Sequence, residues 1–100
     1  MEFNEYQELA NRTLYGTEQV LTNCALGLAS ETGAVLEQIQ KYTFESQELN
    51  RDALIKELGD VLWYVSQISD WANIPFEEVA TKNLAHIDSK MNSHRPIQKN

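Results

Sequence analysis

One cysteine, two prolines and four glycines in 100 residues leave little to staple, kink or punctuate this chain. The single thiol, Cys24, forms no internal disulfide and fits a reducing cytoplasm, the expected compartment. Positive charge is short as well: eight Lys and Arg face fifteen Asp and Glu, a net charge of −7. Such a chain repels a nucleic-acid backbone, and no basic stripe with interleaved aromatics offsets that, so no nucleic-acid partner is expected. No apolar run approaches the roughly 18–20 residues of a membrane span, so no membrane partner is expected either. "MEFNEYQEL" at the start has no basic region and no apolar core, and no secretory signal is expected from it. Neither a GxxxxGK(S/T) loop, a GxGxxG turn nor a Cys/His cluster is present, which leaves polyphosphate binding through a glycine loop unsupported. A composition of 42% hydrophobic and 23% charged residues argues against disorder, and the length suits one domain with a modest core.

What is there is helical spacing almost throughout. The periodicity predicts helices over about 3–13, 18–42, 51–72 and 75–91, with a frayed tail over 92–100. Phe3, Tyr6, Ala10 and Thr13 share one side of the first. "YGTEQ" (15–19) breaks it, with Thr17 as N-cap for the second. "TFESQELNRD" (43–52) reads as a polar loop. "NIP" (73–75) stops the third helix, and Pro75 opens the fourth as a first-turn proline followed by Glu77 and Glu78. Four helices without a strand pattern predict an all-α domain of four-helix-bundle type, its core completed by dimerisation.

Acids flank the apolar stripes. On the third helix Leu54, Leu58, Val61, Val65, Ile68 and Ala72 form a stripe, with Glu57 at its edge and Asp60 farther round. Tyr64 and Trp71 share that shoulder. On the second, Leu21, Leu28, Val35 and Ile39 form the stripe, with Glu31 at its edge. Gly27, one turn before Glu31, is expected to leave open space, and Ala34 follows one turn after. Most charged helix residues are simply solvated, and these acids have that reading too. If the two shoulders face each other, however, converging carboxylates need a cation, and oxygen-only ligands suit Mg²⁺ or Mn²⁺. Trp63 points to the polar side and suits a subunit contact. Cys24 reads as a small core residue, and His86 and His94 as surface residues. Asn83 falls within the apolar stripe of the fourth helix, where a buried amide needs a partner or a ligand. Lys82, His86 and Lys90 lie near it and suit phosphate.

"LGLASETGAVLEQIQK" and "LIKELGDVLWYVSQISDWANIPFEEVATKNLAHIDSK" together resemble the MazG-like nucleotide pyrophosphohydrolases of the all-α NTP pyrophosphatase superfamily, over about residues 20–90. That family carries ExxE on one helix and ExxD on the next. The resemblance implies hydrolysis of nucleoside triphosphates to a monophosphate and pyrophosphate, with Mg²⁺ (or Mn²⁺) held by Glu31, Glu57 and Asp60, and an acid activating water. It implies that Tyr64 stacks on or packs beside the base and that Asn83 and Lys90 approach the sugar or phosphates. Asn23 would line the pocket, and the protein would work as a homodimer or homotetramer. The chain departs from the pattern at the second Glu of ExxE, where Ala34 stands. Glu37 lies too far round the helix to replace it. His86 stands where the family commonly has Lys, and Lys90 where it has Arg. Losing one carboxylate is expected to weaken metal binding and impair turnover. Such an alanine is the change by which a ligand-trapping variant is made; a natural alanine has the same chemical consequence. Two alternatives stand beside the enzyme: a catalytically inactive nucleotide-binding or regulatory protein on this scaffold, and a helical interaction module whose acids are only surface.

Overall fold

Apolar spacing and capping divide the chain into α1 (Phe3–Ala10), α2 (Glu18–Phe44), α3 (Arg51–Trp71) and α4 (Phe76–His94), with no strand among the described residues. The structure is a computed structural model that describes residues 1–10 and 18–94, with side chains through Met91. The expected continuation of the first helix to Thr13, the break before residue 18 and the Thr17 cap lie outside the described residues, as does the end of the tail from 95. The fourth helix continues past Met91 to His94, so the expected fraying does not begin at 92.

Local chemistry explains the ends. Asn50 caps α3: its side-chain oxygen accepts from the Ala53 backbone N–H at 3.1 Å. At the other end Asn73 takes a left-handed φ of 64°. Its N–H bonds the Asp70 carbonyl and that of Ile74 bonds the Ser69 carbonyl, closing a Schellman turn. Pro75 stands just before α4 rather than within it, its carbonyl accepting from the Glu78 N–H at 3.0 Å.

The first turn of α4 has orphan N–H groups, and α1 supplies their acceptors. Gln7 Oε1 accepts from the Phe76 N–H at 3.1 Å, and Asn4 Oδ1 from the Glu77 N–H at 2.9 Å. Gln7 Nε2 also donates to the Ile74 carbonyl at 3.0 Å. Phe3 and Tyr6 bracket the buried Phe76 ring, with centroids 4.9 and 6.2 Å away.

Packing is uneven. The α2–α3 hairpin is the main contact, and α1 and α4 pack on each other and on α3. Among the described residues no Cα of α2 comes within 8 Å of α1 or α4. This is an open arrangement rather than a closed bundle. Where α1 and α4 meet α3, the buried α3 residues are Ser66, Gln67 and Ser69, not the expected aliphatic stripe. Small serines let helices approach, and Ser66 satisfies its hydroxyl on the Trp63 carbonyl at 2.8 Å. Leu58 of the expected stripe is half exposed and Ala72 is exposed. Ile55, Leu58 and Leu62 on α3, and Leu84, Ile87 and Met91 on α4, stay open to solvent. Asn83 is exposed too, because among the described residues nothing covers the second half of α4, where 81–91 are all exposed. The radius of gyration is 16.8 Å, against about 13 Å for a compact domain of this length. The accessible surface is 7655 Å², where a compact monomer of this mass exposes roughly 5,800 Å².

Gln7→Leu tests the role given to α1. It leaves the Phe76 N–H and the Ile74 carbonyl unpaired and is expected to lower stability by ~1–3 kcal/mol in urea melts. An unchanged midpoint would refute the clamp.

Candidate active site

The half-buried and buried positions of α2 recur as Cys24, Gly27, Leu28, Glu31, Ala34, Val35 and Gln38. On α3 a half-buried series Ala53, Leu54, Glu57, Asp60, Val61, Tyr64 and Ile68 recurs, beside Trp63, Val65, Ser66, Gln67, Ser69 and Asp70, which are also half-buried or buried. Spacings of three and four put each set on one helix face. The acids therefore belong to the seam between the helices rather than to its outer shoulder. Trp71, expected on the same strip, is 37% exposed.

Two contacts fix the register of this antiparallel pair. At one end the Tyr64 ring lies against Gly27. A Cβ at position 27 would overlap ring carbons of Tyr64 and stand 2.7 Å from its hydroxyl oxygen. The space expected beside Gly27 is thus filled by Tyr64, whose ring also meets Trp63 edge-on at 5.1 Å. Trp63, expected on the polar side and suited to a subunit contact, is half-buried within the single chain. At the other end Gln38 Nε2 donates to Glu57 Oε1 at 2.5 Å. Glu31 and Ala34 lie between these contacts on α2, across from the stretch Glu57–Tyr64 on α3.

Lys56 gathers the charges. Its ammonium meets Asp60 Oδ2 at 3.1 Å. It is held above the usual lysine range first by that hydrogen bond and the charge of Asp60, then by Glu31 and, more weakly, Glu57. Asp60 is thus paired with Lys56, and Glu31 and Glu57 add to the negative field at its ammonium. Tyr6 of α1 reaches the same neighbourhood: burial, and secondarily the charge of Asp60, raises its phenol. Cys24 is buried, as its small apolar reading predicts, and burial raises its thiol.

The arrangement suits a cation in chemistry but not yet in geometry. Every donor is an oxygen, as Mg²⁺ prefers. Among the described residues, however, no three Asp, Glu, His or Cys side chains stand close enough to hold a metal ion. Glu57 is turned to Gln38 and Asp60 to Lys56. Ala34 contributes a methyl group facing the same stretch. Glu37 points away and pairs with Lys41 at 3.9 Å. Of the other expected site residues, Tyr64 is in the seam, and Asn23 is exposed on α2. Asn83 and Lys90 are exposed on α4, which does not reach α2 in the single chain. Gln38, Lys56 and Tyr6 were not singled out by spacing. The Lys56–Asp60 pair is legible as i,i+4, but Gln38 becomes visible only once the register is known.

Comparison with known proteins decides the family. The model of the MazG nucleotide pyrophosphohydrolase domain matches residues 19–95. The chain belongs to that family. The MazG match begins in α2, so α1, which caps α4, lies outside it. The chain is also similar to the Gene 37 protein of Mycobacterium phage L5, 31% identical over a 74-residue alignment that covers 70% of this chain. The match spans 65% of the phage protein, just under two thirds of its length. No solved structure matches significantly.

The Gly27–Tyr64 contact yields a sign test. Alanine is the better helix former by ~0.5–1 kcal/mol, so Gly27→Ala should stabilise a solvent-facing position. Against Tyr64 it is expected to destabilise, and to become neutral or stabilising in a Tyr64→Ala background. A double-mutant cycle from thermal melts measures this coupling; equal effects in both backgrounds would place Tyr64 elsewhere.

Proposed function

We propose that this MazG-family chain is built as a Mg²⁺-dependent nucleoside triphosphate pyrophosphohydrolase, releasing a monophosphate and pyrophosphate, and is impaired by Ala34. The observation that supports this reading is the α2–α3 seam, which carries Glu31 on one helix and Glu57 and Asp60 on the other, all three acting on the Lys56 charge. These three carboxylates would hold Mg²⁺ or Mn²⁺ after Lys56 moves away. Such a cation supplies neutralisation of the phosphates and a lowered pKa for the attacking water. One seam carboxylate would accept a proton from the attacking water. Tyr64, braced by Gly27, gives the base a flat wall, and Asn23 lies two turns before Glu31 on α2.

Asn83 and Lys90 approach the sugar or phosphates only if a second chain brings α4 to the seam. The open stripes on α3 and α4 and the large exposed area suit a homodimer or homotetramer, whose interfaces bury areas of this order. Among the described residues no helix is long and apolar enough to cross a membrane. A cytoplasmic nucleotide pool is the matching setting.

A second reading is a nucleotide-binding protein on this scaffold without turnover. It is favoured by Ala34 together with Glu57 and Asp60 already engaged by protein donors.

The test is product analysis of the chain and its Ala34→Glu variant with a panel of NTPs and dNTPs and either cation. Turnover is expected to rise with Ala34→Glu and to vanish when Glu57→Gln or Asp60→Asn is added. If Ala34→Glu releases no pyrophosphate from any nucleotide, the enzyme reading is wrong, and calorimetric binding would then support the second.

A further inference from the structure

Helices α3 and α4 each leave an apolar row uncovered, and we propose that a second copy of this chain covers both. The α4 row of each copy lies antiparallel on the α3 row of the other. This rests on the homo-oligomer reading above and adds which faces meet and in which register.

On α3 the row is Ile55, Leu58 and Leu62; on α4 it is Leu84, Ile87 and Met91. All six are between 36% and 66% exposed. Spacings of three and four put each row on one helix face. Both rows continue faces that pack within the chain. Four residues beyond Leu62 the α3 face becomes the buried Ser66, and the α4 row follows on from Phe76, which is buried, and Ala80, which is half-buried. Each face is thus core at one end and open at the other. The 7655 Å² of accessible surface exceeds the roughly 5,800 Å² of a compact monomer by an area that each chain of an obligate homodimer buries.

The shape of both rows suits a crossing helix. Gly59 lies four residues after Ile55 and three before Leu62, and a Cβ there would meet nothing within 4 Å. Glycine inside a helix is destabilising, and nothing packed against it among the described residues requires it; a second helix passing close does. Opposite, Leu84, Ala85, Ile87, Asp88 and Met91 line a hollow of about 450 Å³ that takes the side chains of the facing row.

Charge selects a second copy as the occupant and sets its direction. Arg51 opens the α3 row, four residues before Ile55, and Asp88 lies on the α4 row between Leu84 and Met91. Among the described residues neither is in an ion pair. Arg51 stands in the first turn of α3, where the helix dipole disfavours a cation, so the helix itself gains nothing from its charge. One chain carries both halves of the pair, as a self-complementary contact requires. Pairing α4 with α4 would bring two Asp88 carboxylates together and leave Arg51 unpaired. With α3 antiparallel to the second copy's α4 and Ile55 opposite Ile87, Leu58 falls opposite Leu84, and Arg51 comes within one turn of Asp88. A parallel pairing of the same rows sets those charges about 12 Å apart along the axis.

The experiment is sedimentation equilibrium of the full chain, of Arg51→Glu, of Asp88→Arg and of both changes together, with helix content checked by circular dichroism. The parent is expected to self-associate, each single reversal to weaken association roughly tenfold or more, and the double change to restore it. Single variants that associate like the parent, or a double variant as weak as the singles, overturn this interface and leave the homo-oligomer reading standing. A parent that stays monomeric overturns both. Disulfide trapping tests the register. In a Cys24→Ala background, Ile55→Cys chains mixed with Ile87→Cys chains are expected to cross-link on oxidation, and neither to do so alone. Cross-linking of either variant with itself, or none in the mixture, overturns the crossed pairing.

Discussion

The antiparallel register of α2 against α3 is the constraint on which the site depends. It is set by a steric fit at one end, Tyr64 against the missing side chain of Gly27, and by a charge-assisted hydrogen bond at the other, Gln38 to Glu57. A slip of one turn would move Glu31 about 5.4 Å along the seam relative to Glu57 and Asp60. The aromatic fit opposes such a slip, because one turn to either side of Gly27 it would set a residue with a Cβ against the Tyr64 ring. Apolar packing alone specifies the register less sharply, since Leu, Val and Ala side chains repack at modest cost.

Acids inside a helix seam are a local conflict between function and folding. Burying a carboxylate is unfavourable unless a donor or cation meets it. The chain answers this for Glu57 with the Gln38 amide and for Asp60 with the Lys56 ammonium, so two of the three seam acids meet protein donors. The stability that the seam forgoes comes partly from the far end of α3. There α1 caps α4, and Phe3 and Tyr6 enclose Phe76. A division of labour follows: one end of the hairpin holds the fold, while the middle carries the chemistry.

Much of this was legible in the sequence. Helical spacing and the scarcity of glycine and proline predict four helices, and ELGD and SETGA point to the acids and to the missing one. Spacing places Glu31 and Glu57 at the edge of a stripe and Leu58 within one, whereas Glu31 and Glu57 are half-buried and Leu58 is exposed. The α3 helix carries two apolar faces, and periodicity does not say which one meets α2. The polar core of Ser66, Gln67 and Ser69 was missed because burial there follows from where α1 and α4 dock, a tertiary fact. The same holds for Gln7, whose two hydrogen bonds reach residues nearly seventy positions away. Asn83 shows the converse: an apolar stripe on α4 predicts burial, but among the described residues nothing covers its second half.

Anomalous diffraction from crystals grown with Mn²⁺ and a non-hydrolysable nucleoside triphosphate tests the central claim most directly. The account predicts a manganese peak in the α2–α3 seam, bound by oxygens of Glu31, Glu57 and Asp60, with Lys56 withdrawn and Gln38 still on Glu57. Manganese bound away from this seam, or a nucleotide seated with no cation between its phosphates and these acids, would contradict it.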